Sequence, residues 1–175
     1  MNFIENALKQ FDYYKSLGEK TFIQLADESL FYQPNDASNS IATIVKHLSG
    51  NMLSRWTDFL TTDGEKEWRH RDTEFENDST TRTSLLACWD KGWACLFEAL
   101  QGLTEDDLCK EIYIRNQKHT VMEAISRQLA HYPYHIGQIV FLGKLYCNQN
   151  WSSLSIPKGN SMAYNAQLFS TPQDQ

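Results

Sequence analysis

Two histidines one helical turn apart are the most informative chemical feature of the sequence. His131 and His135 stand in the segment HYPYHIGQIVFLGK, and residues four apart on a helix lie on the same face. Two imidazoles at this spacing can reach one metal ion, whose bonds to histidine nitrogen are about 2.0–2.1 Å long. A metalloprotease helix carries glutamate directly after the first histidine, but Tyr132 stands there. The spacing therefore indicates a metal site without a protease's general base.

The same spacing also arises by chance, so the surrounding residues have to distinguish a site from two unrelated histidines. Residues 128–143 contain no Asp, Glu, Lys or Arg, and apolar residues cover several faces of the predicted helix. A helix that is apolar on most faces is buried, and buried imidazoles need partners for their nitrogens. No acidic residue stands between 124 and 146. A single metal ion would therefore provide a partner for one nitrogen of each histidine.

A third ligand has to come from another segment. His70 and His119 stand in polar stretches that predict exposed loops, whereas His47 lies in the middle of a predicted helix, at the edge of its apolar stripe. Three protein ligands leave room for water or substrate, as in catalytic zinc sites, whereas structural zinc sites usually have four protein ligands. The candidate site is His47, His131 and His135. A histidine in the position of His47 is equally compatible with a simple hydrogen bond to a neighbour.

Three polar residues share faces with the candidate ligands by helical spacing. Asn51 and Arg55 come four and eight residues after His47, and Gln138 comes three after His135. Residues in such positions line a pocket or orient a ligand. Arg55 is the better candidate for binding an anionic substrate group, whereas Gln138 is equally compatible with a hydrogen bond between helices.

Four long segments with a helical period must position these residues. They cover approximately residues 3–28, 38–61, 81–101 and 120–147. Ser38 or Ser40 is a suitable N-cap for the second segment, and Thr120 with Glu123 forms a capping box for the fourth. A brief extended pair is predicted near residues 112–116. The pattern predicts an all-α four-helix bundle, with the apolar residues of 148–175 packed over it as a C-terminal tail.

Size and composition limit the class of protein. A chain of 175 residues with 41% apolar residues predicts a single domain, residues 1–175. No uncharged run reaches the roughly 20 residues of a membrane span. The net charge is −6, and the basic residues of 66–71 alternate with acidic ones, which predicts a solvated loop and no nucleic-acid partner. Four cysteines without a CxxC pair favour free thiols and a cytoplasmic location.

Several segments together resemble a known group of proteins. IVKHLSGNM (44–52), FLTTDGEKEW (59–68), SLSIPKGNS (153–161) and the segment from His131 resemble a bacterial branch, of undefined function, of the DinB/YfiT-like superfamily of metal-binding four-helix bundles. The resemblance covers nearly the whole chain. It implies that His47, His131 and His135 bind a divalent metal, commonly zinc or nickel. Members with known roles include transferases and isomerases that use a low-molecular-weight thiol as cosubstrate, and many others are described as metal-dependent hydrolases.

The sequence therefore predicts a metal-dependent enzyme acting on a small molecule, as a thiol-dependent transferase or a hydrolase. No general base stands beside the predicted ligands, which slightly favours the thiol reaction. The alternative is a non-catalytic metal-binding or interaction bundle, in which pairs of helices form a homodimer. A haem bundle with two axial histidines is a weaker third possibility.

Overall fold

The computed structural model describes residues 2–75 and 81–170, which are mostly helical. The helices are α1 (Phe3–Ile23), α2 (Asp27–Phe31), α3 (Ile41–Trp56), α4 (Arg82–Gln101), α5 (Val121–Cys147) and α6 (Ser161–Ser170). Two strands, β1 (Glu111–Ile114) and β2 (Gln117–Thr120), form an antiparallel pair. Short 3₁₀ turns cover Asp72–Phe75, Glu105–Cys109 and Asn148–Asn150.

The long helices begin at residues whose side chains cap them. The Ser40 hydroxyl accepts a hydrogen bond from the Thr43 backbone N–H at the start of α3. Thr120 and Glu123 form the predicted capping box of α5, with bonds of 2.7 and 3.1 Å. The helix then continues through Pro133 to Cys147, although proline inside a helix removes one backbone hydrogen bond. Local sequence therefore accounts for where α3 and α5 begin.

Two of the predicted helices are longer than the helices observed. The first predicted segment is split, because α1 ends at Ile23 and α2 begins at Asp27. The second ends at Trp56 rather than near residue 61. Asp58 has a φ of 49°, a left-handed conformation that does not continue a right-handed helix. The backbone therefore turns away from α3 shortly after the residues that carry the candidate site.

An aromatic cluster fills the space between the long helices. Helix α3 packs along α4, α1 packs along α5, and α3 also contacts α5. Phe11, Trp93 and Tyr132 are fully buried, and the ring centroid of Trp93 lies 6.4 Å from that of Phe11 and 6.0 Å from that of Tyr132. Burial of large rings is a major source of core stability. On α3, the Trp56 indole N–H donates to the Tyr132 hydroxyl at 3.0 Å, so the core also joins α3 to α5, as a site shared by the two helices requires.

The loop that follows α3 is fastened to the turn between β1 and β2. Arg115 and Asn116 both have positive φ, 54° and 57°, as two-residue hairpin turns require. The Asp63 carboxylate accepts their backbone N–H groups at 2.8 and 2.7 Å. The Gly64 N–H donates to the carbonyl of Tyr113 at 2.8 Å. The predicted extended structure is confirmed for β1, but Arg115 and Asn116 form the turn, and the second strand follows at Gln117–Thr120. The hairpin supports the loop that follows α3.

The C-terminal tail differs from the prediction. Its first residues pack against the helices, since the Ser152 N–H donates to Oε1 of Gln24 at 2.7 Å. Helix α6 has no buried residue, and the side chains of Met162 and Phe169 are 86% and 84% exposed. The prediction of a tail packed over the bundle is therefore wrong for α6. Apolar composition indicates that a segment can be buried, but it does not supply the surface that buries it.

Among the described residues, no helix is both long enough and apolar enough to cross a membrane.

Candidate metal centre

The three candidate ligands lie together, one from α3 and two from α5. The ring centroids of His131 and His135 are 4.8 Å apart, and that of His47 lies 4.9 Å from His135 and 5.6 Å from His131. One ring nitrogen of each histidine lies within 4.8 Å of those of the other two. His47 thus joins two histidines that follow it by more than 80 positions in the chain, and the three form one cluster that could hold a metal ion.

Each of the three rings is held at its Nδ1 atom by a side-chain oxygen. The pairs are His47 with Glu74 at 3.1 Å, His131 with Gln128 at 3.0 Å, and His135 with Gln138 at 3.0 Å. A carboxylate or carbonyl oxygen only accepts hydrogen bonds, so each Nδ1 carries the proton and donates. In a neutral ring the other nitrogen, Nε2, is then the metal-binding atom. Metal-binding histidines commonly show this arrangement, which fixes the tautomer and the orientation of the ring.

The distance between two Nε2 atoms fits a shared cation. Nε2 of His131 lies 3.1 Å from Nε2 of His135. With both protons on Nδ1, neither Nε2 can donate to the other, and two lone pairs face each other. Bonds of 2.0–2.1 Å to one metal would separate the two nitrogens by about 2.9 Å at a right angle and by about 3.3 Å at the tetrahedral angle. The observed separation falls between these values.

Burial favours the neutral form of the rings. His47 is buried, and His131 and His135 are half-buried. Burial, together with the neighbouring His135 and His47, lowers the pKa of His131 to about 4. Burial also lowers the pKa of His135, although the bond to Gln138 partly offsets it. Neutral imidazole is the form that binds metal, so these two ligands are ready to bind at neutral pH.

A buried ion pair supports His47. Glu74 and Arg69 are only 6% and 9% exposed, and Arg69 donates to both Glu74 oxygens, at 2.7 and 2.9 Å. Burial alone would raise the pKa of Glu74, but hydrogen bonds from His47 and Arg69 outweigh it and hold the pKa below its ordinary value. A Cβ at Gly50 would overlap the Glu74 carboxylate. A glycine is therefore required there for the carboxylate to reach α3.

The structure separates the three polar residues that helical spacing grouped with the ligands. Gln138 lies against His135, as described. Asn51 is buried and accepts a hydrogen bond from the Tyr132 hydroxyl at 3.1 Å, so it belongs to the core. Arg55 is also buried, and its Nη1 donates to the carbonyl of Gly64. Nη1 of Arg55 is thus engaged within the chain, whereas its Nε is buried without a hydrogen-bond partner among the described residues.

The other two histidines stand apart from the cluster of described residues that could hold a metal. His70 is exposed, which confirms the prediction, whereas His119 is half-buried on β2, opposite Ile112 of β1. The prediction of an exposed loop was wrong for His119, because the hairpin packs against the helices.

Three residues that contact or support the histidine cluster were missed at the level of sequence. Gln128 precedes His131 by three positions, which is the spacing that identified Gln138 on the other side of His135, and the same rule would have found it. Arg69 stands in the stretch 66–71 that predicted a solvated loop, and that prediction is wrong for Arg69, which is buried. Glu74 is also buried and lies just beyond that stretch. No local pattern distinguishes them, because Glu74 meets His47 across 27 positions of the chain.

Residues 1–160 match the family model described as "Protein of unknown function (DUF1572)". The chain therefore belongs to this family, and all three clustered histidines lie within the matched residues. No curated protein matches the chain.

Proposed function

We propose that this chain is a divalent-metal enzyme of the DinB/YfiT-like kind, with His47, His131 and His135 as the metal ligands. One observation carries the proposal: three histidines from two helices converge, and each is anchored at Nδ1 by a side-chain oxygen. The four long helices in mutual contact support a four-helix bundle of that superfamily, formed as one domain over residues 1–175. Imidazole ligands suit zinc and nickel.

The residues of the chain prepare the site rather than react in it. Glu74, Gln128 and Gln138 hold the three rings, and burial keeps the α5 rings neutral. A divalent ion held there would act as a Lewis acid and would favour the ionised form of a water or thiol. The cluster uses three protein ligands, which matches the number in catalytic zinc sites. Three protein ligands leave a metal position for a small molecule, and the net charge of −6 disfavours a nucleic-acid substrate; a small-molecule substrate is therefore the better fit.

The surroundings of the ligands favour thiol-dependent transfer over hydrolysis. Glu74 faces Nδ1 of His47 and accepts two hydrogen bonds from Arg69, so it is not placed to take a proton from a substrate. The cluster of described residues contains no cysteine or further carboxylate. A thiol has an ordinary pKa near 8.5 and ionises without strong assistance from a base. A low-molecular-weight thiol as cosubstrate is therefore the better fit.

Exposed apolar side chains favour a second candidate function, a non-catalytic metal-binding bundle that pairs with a second copy. On α5, Phe141 and Leu145 are 67% and 57% exposed, and Phe169 on α6 is 84% exposed. Apolar surface of this kind is typical of interaction sites when it is contiguous.

Elemental analysis of protein purified without a histidine tag tests the proposal first. We expect about one zinc or nickel per chain. A screen of small thiols with electrophiles should then reveal turnover that stops on chelation and returns when the metal is restored. Protein that retains no divalent metal would contradict the metal site. Bound metal with no turnover, together with a dimeric mass by light scattering, would favour the second candidate.

A further inference from the structure

A cavity of about 490 Å³ lies beside the candidate metal centre. Its walls come from the loop before α3, from Ile44 in the first turn of α3, and from Gly137, Gln138 and Phe141 on α5. Its volume falls within the range of small-molecule sites, about 300–1,000 Å³. Gln138 lines the cavity and also holds His135, so the cavity wall and the ligand support are the same side chain.

Gly137 has no structural requirement for glycine. It lies within α5, where glycine is less stable than alanine. A Cβ at Gly137 would meet no atom within 4 Å, whereas a Cβ at Gly143 on the same helix would overlap Thr21 and lie 3.3 Å from Trp151. Close packing therefore explains Gly143 and does not explain Gly137. The missing side chain at Gly137 instead leaves space at the wall of the cavity.

The described lining of the cavity is uncharged. Its polar groups are the Ser38 hydroxyl, the amides of Asn39 and Gln138, and the Tyr134 phenol, and the remaining side chains are aliphatic or aromatic. A charged group would lose hydration there without gaining a counter-ion. The described walls therefore fit a neutral group with an apolar part and a few hydrogen-bonding atoms.

We propose that this cavity binds the uncharged, partly apolar portion of the substrate, and that Gly137 determines how large that portion can be. The inference rests on the proposed function, because Gln138 joins the cavity to His135. The cavity therefore indicates an uncharged portion of the substrate, whereas the sequence had indicated an anionic group bound by Arg55.

Two fluorescent probes with the same ring system test the class of ligand. N-phenyl-1-naphthylamine is neutral, and 8-anilinonaphthalene-1-sulfonate adds one negative charge. We expect the neutral probe to bind at least tenfold more tightly than the sulfonate. We also expect Gly137→Leu to weaken the neutral probe at least tenfold. Ala130→Leu adds the same side chain at an exposed position of α5 outside the cavity, and it should change the Kd less than twofold.

Gly137→Trp is a second variant, because a leucine side chain that turned toward solvent would leave the cavity open. If Gly137→Leu and Gly137→Trp both bind the neutral probe as the native chain does, the cavity is not its site and the proposal is overturned. Equal affinity for the two probes would overturn the assignment of an uncharged ligand.

Metal substitution separates this inference from the proposed function. Cobalt absorbs visible light and quenches a nearby fluorophore, whereas zinc has a filled d shell and does not. We expect the bound neutral probe to be dimmer in the cobalt form than in the zinc form, and equal brightness would overturn its placement beside the metal centre. If no divalent ion binds at all, the proposed function fails, and the Gly137 comparison still decides whether the cavity is the binding site.

Discussion

The two halves of the candidate metal centre are built in different ways. On α5, both histidines and both glutamines that hold them belong to one helix and lie within eleven residues, 128–138. On α3, His47 depends on Glu74, which reaches it from another segment and is itself held by Arg69. One half is therefore organised by helical geometry alone, whereas the other exists only when residues 69–75 fold over α3.

This difference determines how each half should respond to change. On α5 the rings are half-buried and their partners are neutral amides, so the loss of one partner leaves no unpaired charge in the interior. The α3 half uses a buried ion pair, and removing one partner leaves an uncompensated charge in the interior. The α3 half should therefore link metal binding to the stability of the whole chain, whereas the α5 half should affect mainly the metal.

The largest effects are expected from the ligands themselves, on either half. Each of the variants His47→Ala, His131→Ala and His135→Ala should reduce bound metal to less than about a tenth of the native content, because a two-histidine site holds the ion much less tightly. The measurement is metal content per chain after desalting. His70→Ala and His119→Ala serve as controls and should retain the native content. A ligand variant with about one metal per chain would refute the assignment.

Glu74→Ala should be the most destabilising change among the residues that support the ligands. It leaves the Arg69 guanidinium buried without a carboxylate, at an expected loss of about 3–5 kcal/mol in the free energy of unfolding. Metal affinity should fall by roughly 10–100-fold, as is usual when the partner of a metal-binding histidine is lost. Urea denaturation of the metal-free protein and a metal titration measure the two effects. A stability within 1 kcal/mol of native would show that the ion pair is unimportant.

The stability of the metal-free protein should depend on pH through the α5 half. The folded chain holds the pKa of His131 at about 4, whereas an unfolded chain has the ordinary value near 6.5. Between these values the unfolded state binds more protons, so stability falls as the pH falls. The stability is fully present above pH 6.5, and His131 contributes a loss of at most about 1.4 kcal/mol per pH unit. Denaturation at a series of pH values checks this slope, which should become smaller in His131→Gln.

The smallest effects are expected from the glutamines. Gln128→Leu and Gln138→Leu each remove one hydrogen bond from a ring that remains in place, so metal affinity should fall about tenfold. The free energy of unfolding should change by about 1 kcal/mol or less. The same titration and denaturation series used for Glu74→Ala allows direct comparison. Losses as large as that variant's would mean that the two halves do not differ as described.

Sequence reasoning was most successful where the relevant contacts are local. The start of α5 at Thr120, the shared face of His131 and His135, and the position of Gln138 all follow from interactions within three or four residues. The end of α3 was less accurate, because a change in backbone direction at Asp58 leaves little trace in the hydrophobic period, and the break between α1 and α2 was not predicted. The exposure of α6 was missed for a related reason, since apolar residues do not reveal whether a surface is present to cover them.

The sequence by itself determined the approximate positions of the four long helices, the cap of α5 and the shared face of His131 and His135, because helical geometry repeats every 3.6 residues and acts within one turn. Only the tertiary structure decided that His47 meets that pair, that Arg69 and Glu74 are buried, and that Arg55 is turned into the chain. These outcomes depend on which helix faces pack together and on where a polar loop is covered. Packing of this kind brings together residues far apart in the chain, and no local spacing encodes it.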